Sequence, residues 1–133
     1  MERLDIRTRS HTELRDITDE VRAAVARAKI NSGVVHIFVP HTTAGLTINE
    51  NADPDVKSDL AEALERLVPW RQPFYKHTEG NSAAHIKASL LGFSATVLIA
   101  DGALALGTWQ GICLCEFDGP RTRQVWVRCI GAE

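Results

Sequence analysis

The chain has 133 residues, the length of one domain, with 44% hydrophobic and 24% charged residues, the balance of a globular protein that builds its own core. Its 15 basic and 17 acidic residues leave a net charge of −2, which excludes a global field for gripping nucleic acid. No apolar run approaches the roughly 18 residues that a bilayer span needs, so no membrane partner is expected.

The first segment, "MERLDIRTRS", is charged throughout and lacks a signal-peptide core, which makes the cytoplasm the expected compartment. Within it "RLDIRTR" alternates apolar and polar residues, the period of a half-buried strand. Ile17, Val21, Ala24, Val25 and Ala28 then recur at helical spacing, with Thr18 placed to cap, Asp19 and Glu20 in the first turn, and "NSG" as the stop. "VVHIFVP" is nearly continuous in apolar residues and reads as a strand buried on both faces. A polar stretch follows, "HTTAGLTINENADPD", with a short candidate strand at "LTIN".

The clearest helix is "ADPDVKSDLAEALERLVP". Asp53 is its cap, Pro54 its first residue, and Val56, Leu60, Leu64 and Leu67 its stripe. "WRQPFYKHTEG" is irregular, and "NSAAHIKASLLG" reads as a short helix capped by Asn81 and stopped by Gly92. The last third reads as a meander of four strand-like runs, "FSATVLIA", "ALALGTWQ", "GICLCEF" and "RQVWVRCI". Asp101-Gly102 between the first two is a type I′ hairpin signal. The order of elements points to one α+β domain over residues 1–133, a mainly antiparallel, sandwich-like core with two to three helices. Cys113, Cys115 and Cys129 are an odd set with no secretion signal, and read as buried small hydrophobes rather than as a disulfide framework.

The polar chemistry concentrates in three places. His41 stands at the end of an apolar strand, a rigid platform for a functional group. His77 and His85 bracket Gly80, with Glu79 between them. Three imidazoles from two segments suit an open zinc site or another late first-row metal. The competing reading is polar surface or acid–base groups, since no compact metal motif such as H-E-x-x-H is present. His36 reads as a core or interface histidine held by one hydrogen bond, and His11 as exposed.

Asn49 and Glu50 follow "LTI", where Glu50 suits a base, a metal ligand or an orienter of an imidazole. In "GTWQG", Trp109 suits stacking on a ring and Gln110 suits a bond to a heterocycle or phosphate. Glu116 lies among apolar neighbours and needs a partner, for which Arg121, Arg123 or a histidine are at hand. No Walker loop is present, so a phosphate falls to Lys87, to arginines such as Arg121, and to backbone N–H groups.

Three segments, "HTTAGLTINENADPDV", "HTEGNSAAHIKASLLG" and "GTWQGICLCEF", stand in the order of a known pattern. On them the chain resembles the YjbQ family, whose proteins carry the label secondary thiamine-phosphate synthase. The resemblance implies an α+β fold on a sandwich-like core and a homotrimer with sites near subunit contacts. It places the family's polar positions on His41, Thr42, Asn49, Glu50, His77, Glu79, His85, Lys87, Trp109, Gln110 and Glu116. It also implies a divalent metal, zinc or magnesium, at His41, His77 and His85. The segment before His85, "GNSAAH", is short, where many relatives carry a longer acidic insert.

On this reading the expected activity joins a pyrimidine pyrophosphate to a thiazole phosphate. Glu50, His41, Gln110 and Glu116 are the catalytic candidates. Thr42, Asn49, Glu79, Lys87, Trp109 and Arg121 are the candidates for binding a small phosphorylated substrate. The alternatives are a non-catalytic metal or small-ligand trimer, and a metal-dependent hydrolase.

Overall fold

In the computed structural model, which describes residues 1–132, eight strands and three helices follow in the order two strands, a helix, two strands, two helices and four strands. The strands are β1 (Glu2–Arg7), β2 (Glu13–Asp16), β3 (Gly33–Phe38), β4 (Ala44–Glu50), β5 (Ser94–Ala100), β6 (Ala103–Leu104), β7 (Gln110–Glu116) and β8 (Thr122–Gly131). The helices are α1 (Thr18–Ala28), α2 (Pro54–Leu67) and α3 (Ser82–Leu91). All strand pairs are antiparallel, in two sheets ordered β1-β8-β3-β5-β6 and β2-β7-β4. The fold is α+β, as the element order indicates.

The inner face of the large sheet (Ile6, Val35, Ile37, Val97, Ile99, Val125 and Val127) packs on α1 and on Leu46, Ile112 and Leu114 of the small sheet. The small sheet's other face meets α3, where Cys115 lies with Ala84, Ala88 and Phe117. The small sheet is therefore covered on both sides. That explains why β7 is continuously apolar, Gly111 to Cys115, instead of alternating. Its thiols are buried, and burial raises the pKa of both, so they act as small apolar side chains.

Several sequence expectations change here. β3 is not buried on both faces: His36 and Phe38 alternate outward while Val35 and Ile37 point in. His36 is exposed on that outer face, with its Nδ1 2.8 Å from the Thr96 hydroxyl. The C-terminal strands do not form a four-strand meander, because β7 joins the small sheet and β8 returns between β1 and β3 in the large one. β2 carries too short a pattern to be read in advance. α1 is capped from outside: Asp16 Oδ1 accepts from the Thr18 N–H at 2.9 Å, and the Thr18 hydroxyl instead accepts from the Ile112 N–H at 2.9 Å. The α2 cap stands as read, with Asp53 Oδ1 accepting from Asp55 N–H at 2.9 Å behind Pro54. Its stripe is shallow, for Leu67 is 74% exposed. The Asp101-Gly102 hairpin also stands as read, with both φ angles positive, 51° and 77°.

One consequence of this topology positions the site. Three of the chain's crossings between the two sheets, the short loops β1–β2, β3–β4 and β7–β8, lie at the same end of the sandwich. The registers place Arg7 beside Thr122, Phe38 beside Trp126, and both Glu13 and Ala44 beside Glu116.

Candidate functional site

At that end, a pocket of about 490 Å³ is lined by Pro40, His41, Thr42 and Thr43 of one crossing and by Arg121 of another. Arg123 of β8, Asn81 and His85 at the start of α3, and His77 and Glu79 of the preceding loop complete it.

The floor is an ion pair that ties the sheets together. Glu116, 0% exposed at the end of β7, takes both oxygens to the guanidinium of Arg123, with Nε at 2.9 Å from Oε1. The Thr8 hydroxyl donates to Oε1 at 2.7 Å and the Asp118 N–H to Oε2 at 3.0 Å. Burial pushes the carboxyl pKa up, but the hydrogen bonds from Arg123, Thr8 and Asp118 outweigh it and hold Glu116 below the usual carboxylate range. Arg123 also donates from Nη2 to the Thr43 hydroxyl at 2.8 Å. Among the described residues its Nη1 has no hydrogen-bond partner.

His41 is oriented by the backbone. The Gln124 N–H donates to its Nε2 at 2.9 Å, so Nε2 carries a lone pair and the neutral ring carries its proton on Nδ1. Burial, and after it the Arg123 charge, lower the ring's pKa, which keeps it neutral at pH 7. His41 is therefore an Nδ1–H donor at the pocket wall. Arg121 binds Asp118 through Nε to the carbonyl at 2.7 Å and through Nη2 to Oδ2 at 3.0 Å, and among the described residues three of its five N–H groups have no hydrogen-bond partner.

Asn81 does not cap α3 with its side chain. Its Nδ2 donates to Asp118 Oδ2 at 2.9 Å, which leaves the first-turn N–H groups of α3 without a side-chain acceptor at the pocket's edge. Its Oδ1 is buried and, among the described residues, without a hydrogen-bond partner, in a residue only 6% exposed. A buried acceptor without a donor costs about 1–3 kcal/mol.

His77 and His85 face each other edge to face with ring centroids 5.2 Å apart. Gly80 makes this possible: at φ 73° its N–H turns back to the His77 carbonyl at 3.1 Å, bringing the loop onto the first turn of α3. Glu79 Oε1 lies 4.0 Å from His77 Nε2.

The three histidines thus share one pocket, where His41 presents its Nδ1 proton, and among the described residues no group of three His, Cys, Asp or Glu side chains stands at metal-holding spacing.

The remaining candidates lie elsewhere. Lys87 is 2% exposed and pairs with Glu65 of α2 at 2.6 Å, over the Phe117 ring, so its charge ties two helices. Asn49, Glu50, Trp109 and Gln110 stand at the opposite end of β4 and β7, where Glu50 pairs with Gln110. The seven residues of β4 put roughly 20 Å between the two ends. There Asn49 Oδ1 accepts the Glu50 N–H, Gln110 Oε1 accepts the Gly107 N–H, and Trp109 is 63% exposed.

Sequence reasoning missed Asn81 and Thr43 as wall residues. Arg123 was legible: it alternates in phase with buried Val125 and Val127, and a charge on that face needs a buried carboxylate.

The family described as "UPF0047 protein YjbQ-like" matches the chain over residues 2–132. The UPF0047 protein YugU of Bacillus subtilis is 51% identical over 128 residues, 96% of this chain and 97% of that one. A UPF0047 protein of Methanocaldococcus jannaschii is 53% identical over 126 residues, 95% and 91% of the two chains. Among solved structures, an uncharacterised conserved protein of the YjbQ/UPF0047 family from Clostridium acetobutylicum superposes with a TM-score of 0.95 at 49% identity, over 98% of this chain and 100% of that one. A conserved hypothetical protein of Thermus thermophilus superposes with a TM-score of 0.91 at 45% identity, over 98% and 100%.

Proposed function

The chain belongs to the UPF0047 YjbQ-like family, and from that premise we propose that its His41 pocket binds the phosphate of a small phosphorylated substrate. One observation carries the reading. The His41 Nδ1–H, the free N–H groups of Arg121 and the Nη1 of Arg123 all border one 490 Å³ pocket, beside the open first turn of α3. His77 and His85 stand across it, free of the backbone restraint on His41, and are the groups in place to move a proton.

The finer reading is transfer of a pyrimidinylmethyl group: its C–O bond to pyrophosphate breaks, the ring nitrogen of a thiazole phosphate forms the new C–N bond, and pyrophosphate leaves. Donors fixed before the reaction stabilise the charge that develops on the leaving pyrophosphate. Within one chain Glu50 and Gln110 do not reach this pocket. In the homotrimer that the family resemblance implies, with sites near subunit contacts, they serve a neighbouring copy. The outer face of the large sheet, with Phe38, Leu98 and Ile130 exposed at 44%, 63% and 47%, supports such an assembly.

Titration of the purified protein with pyrophosphate tests the reading. Arg121→Ala weakens binding about tenfold, and long-range nitrogen–proton spectra find His41 as the Nδ1–H tautomer. A ring protonated at Nε2, or affinity indifferent to Arg121, defeats it. Incubation with both precursors then separates the two functional readings, because binding without thiamine phosphate formed leaves a ligand-binding protein. Elemental analysis of the same sample decides whether a metal accompanies the pocket.

A further inference from the structure

The pocket's fixed walls present donors to an anion: the Nδ1–H of His41 and the guanidinium N–H groups of Arg121 and Arg123. Asn81 adds a group of the opposite kind. Asp118 Oδ2 accepts from Arg121 Nη2 at 3.0 Å and from Asn81 Nδ2 at 2.9 Å. A carboxylate oxygen beside a guanidinium is an acceptor, so the amide must turn its nitrogen toward Asp118 and its oxygen away. That oxygen is the Oδ1 that is buried without a hydrogen-bond partner among the described residues, in a side chain that lines the pocket. The helix start does not satisfy it. The Ala84 and His85 N–H groups return to the Asn81 carbonyl, at 3.0 and 3.4 Å, and the Ser82 and Ala83 N–H groups meet no acceptor among the described residues. The first turn of α3 therefore sets two unmet donors beside one unmet acceptor.

We propose that Asn81 Oδ1 is a specificity determinant that reads a proton on the bound anion, so that the pocket selects a phosphate group carrying a P–OH over an anion of the same shape without one. This rests on the phosphate reading above and adds the protonation state of the ligand and the residue that senses it. A protonated phosphate is both acceptor and donor. Its bare oxygens take N–H groups from His41, Arg121 and the first turn of α3, and its hydroxyl gives the hydrogen bond that Oδ1 lacks. Sulfate has the same tetrahedral shape and no proton at neutral pH, so it meets the donors and leaves the buried acceptor bare. A phosphate monoester carries the proton below its second pKa, about 6, and resembles sulfate above it. The site thus selects one ionic form of its ligand without a change in its own charge.

Calorimetric titration of the full chain with methyl phosphate and with sulfate, at about pH 5.5 and about pH 8, tests this. In wild-type protein the ratio of methyl phosphate to sulfate affinity falls about tenfold between the two, as a buried acceptor first served and then left bare requires. His41, His77, His85 and Glu79 also line the pocket, and Arg121, Arg123 and Asp118 set its fixed charge. These groups remain in Asn81→Ala, so the comparison with that variant isolates Oδ1. In Asn81→Ala the ratio no longer falls. Asn81→Ser, whose hydroxyl can cap α3, gives the same result where Asn81→Ala does not fold. A ratio that still falls in these variants, or that stops falling in Glu79→Gln, places the proton's acceptor elsewhere and overturns the assignment. A ratio that stays level or rises in wild type, with both anions weakened by Arg121→Ala, overturns the proton reading and leaves the phosphate pocket standing. Binding of neither anion overturns both.

Discussion

Glu116 stands at the point where the fold and the pocket depend on the same atoms. Its carboxylate is fully buried, and Arg123, Thr8 and the Asp118 N–H satisfy it from three elements. Glu116→Gln leaves the Arg123 guanidinium buried against a neutral amide, and a broken buried pair costs about 3 kcal/mol. The expected outcome is a lower urea midpoint at pH 7 with the slope unchanged. The pH dependence follows from the lowered pKa. Above the unfolded value, near 4.3, the charged carboxylate contributes its full stability, and that contribution is lost as pH falls through the still lower folded value. Wild-type protein therefore loses stability more steeply than Glu116→Gln does as pH falls below about 5. Parallel acid arms in the two proteins defeat the assignment. At this scale the sequence was half legible. His41, Thr42, His77, Glu79, His85 and Arg121 do meet in one pocket, because each lies in or beside a loop at one end of the sandwich. Lys87 misled, since a lysine in a polar motif looks like a phosphate grip until a helix outside the motif supplies Glu65.

The elements matter through their spacing. α3 carries Asn81 and His85, and its height above the small sheet is set at Gly45 on β4. A Cβ there would lie 2.8 Å from the Gly92 carbonyl oxygen and 3.3 Å from that of Ala88, both backbone atoms at the end of α3. Gly45→Ala must push the helix away by a few tenths of an ångström, breaking the register in which the Leu46 N–H reaches the Gly92 carbonyl at 3.0 Å. Destabilisation of about 1–3 kcal/mol is expected, with weaker phosphate affinity in the folded fraction. Unchanged affinity would show that the helix does not position the pocket. Lys87→Met tests the opposite case. It replaces a buried charge by a chain of similar length, so melting should change little or rise, and phosphate affinity should be untouched. Elements were readable wherever a local rule was complete, as at Asp53-Pro54 for α2 and Asp101-Gly102 for the β5–β6 hairpin. Strand partners were not readable. Whether β7 pairs with β8 or crosses to the other sheet depends on contacts far apart in sequence, and the apolar pattern of β7 records only that both its faces are covered.

At the scale of the whole molecule the two ends of the sandwich have unequal tasks. One end gathers three crossings, a buried ion pair and the pocket. The other presents Trp109 and Gln110 to solvent beside a half-buried Glu50, around an Asn51 Oδ1 that is buried and without a partner among the described residues. Exposed polar and aromatic groups at a strand end add little to one chain's stability, so their value must lie in what they meet. The outer face of the large sheet offers the means of meeting. Phe38 packs on Trp126 with ring centroids 5.9 Å apart and Arg3 lies over the same indole at 5.2 Å, while farther along the same face Leu98 of β5 and Ile130 of β8 are open on either side of Val34. If that face joins copies, sedimentation gives three times the 14.6 kDa chain, and Leu98→Asp gives a single folded chain, because an exposed position tolerates the change. Glu50→Gln then discriminates. In the assembled protein it lowers ligand affinity or turnover, because the carboxylate reaches a neighbour's pocket. In the Leu98→Asp background the same substitution changes nothing, since roughly 20 Å separates Glu50 from the pocket of its own chain. An equal effect in both backgrounds means that Glu50 acts through its own fold, and no effect in either means that the far end takes no part in the site.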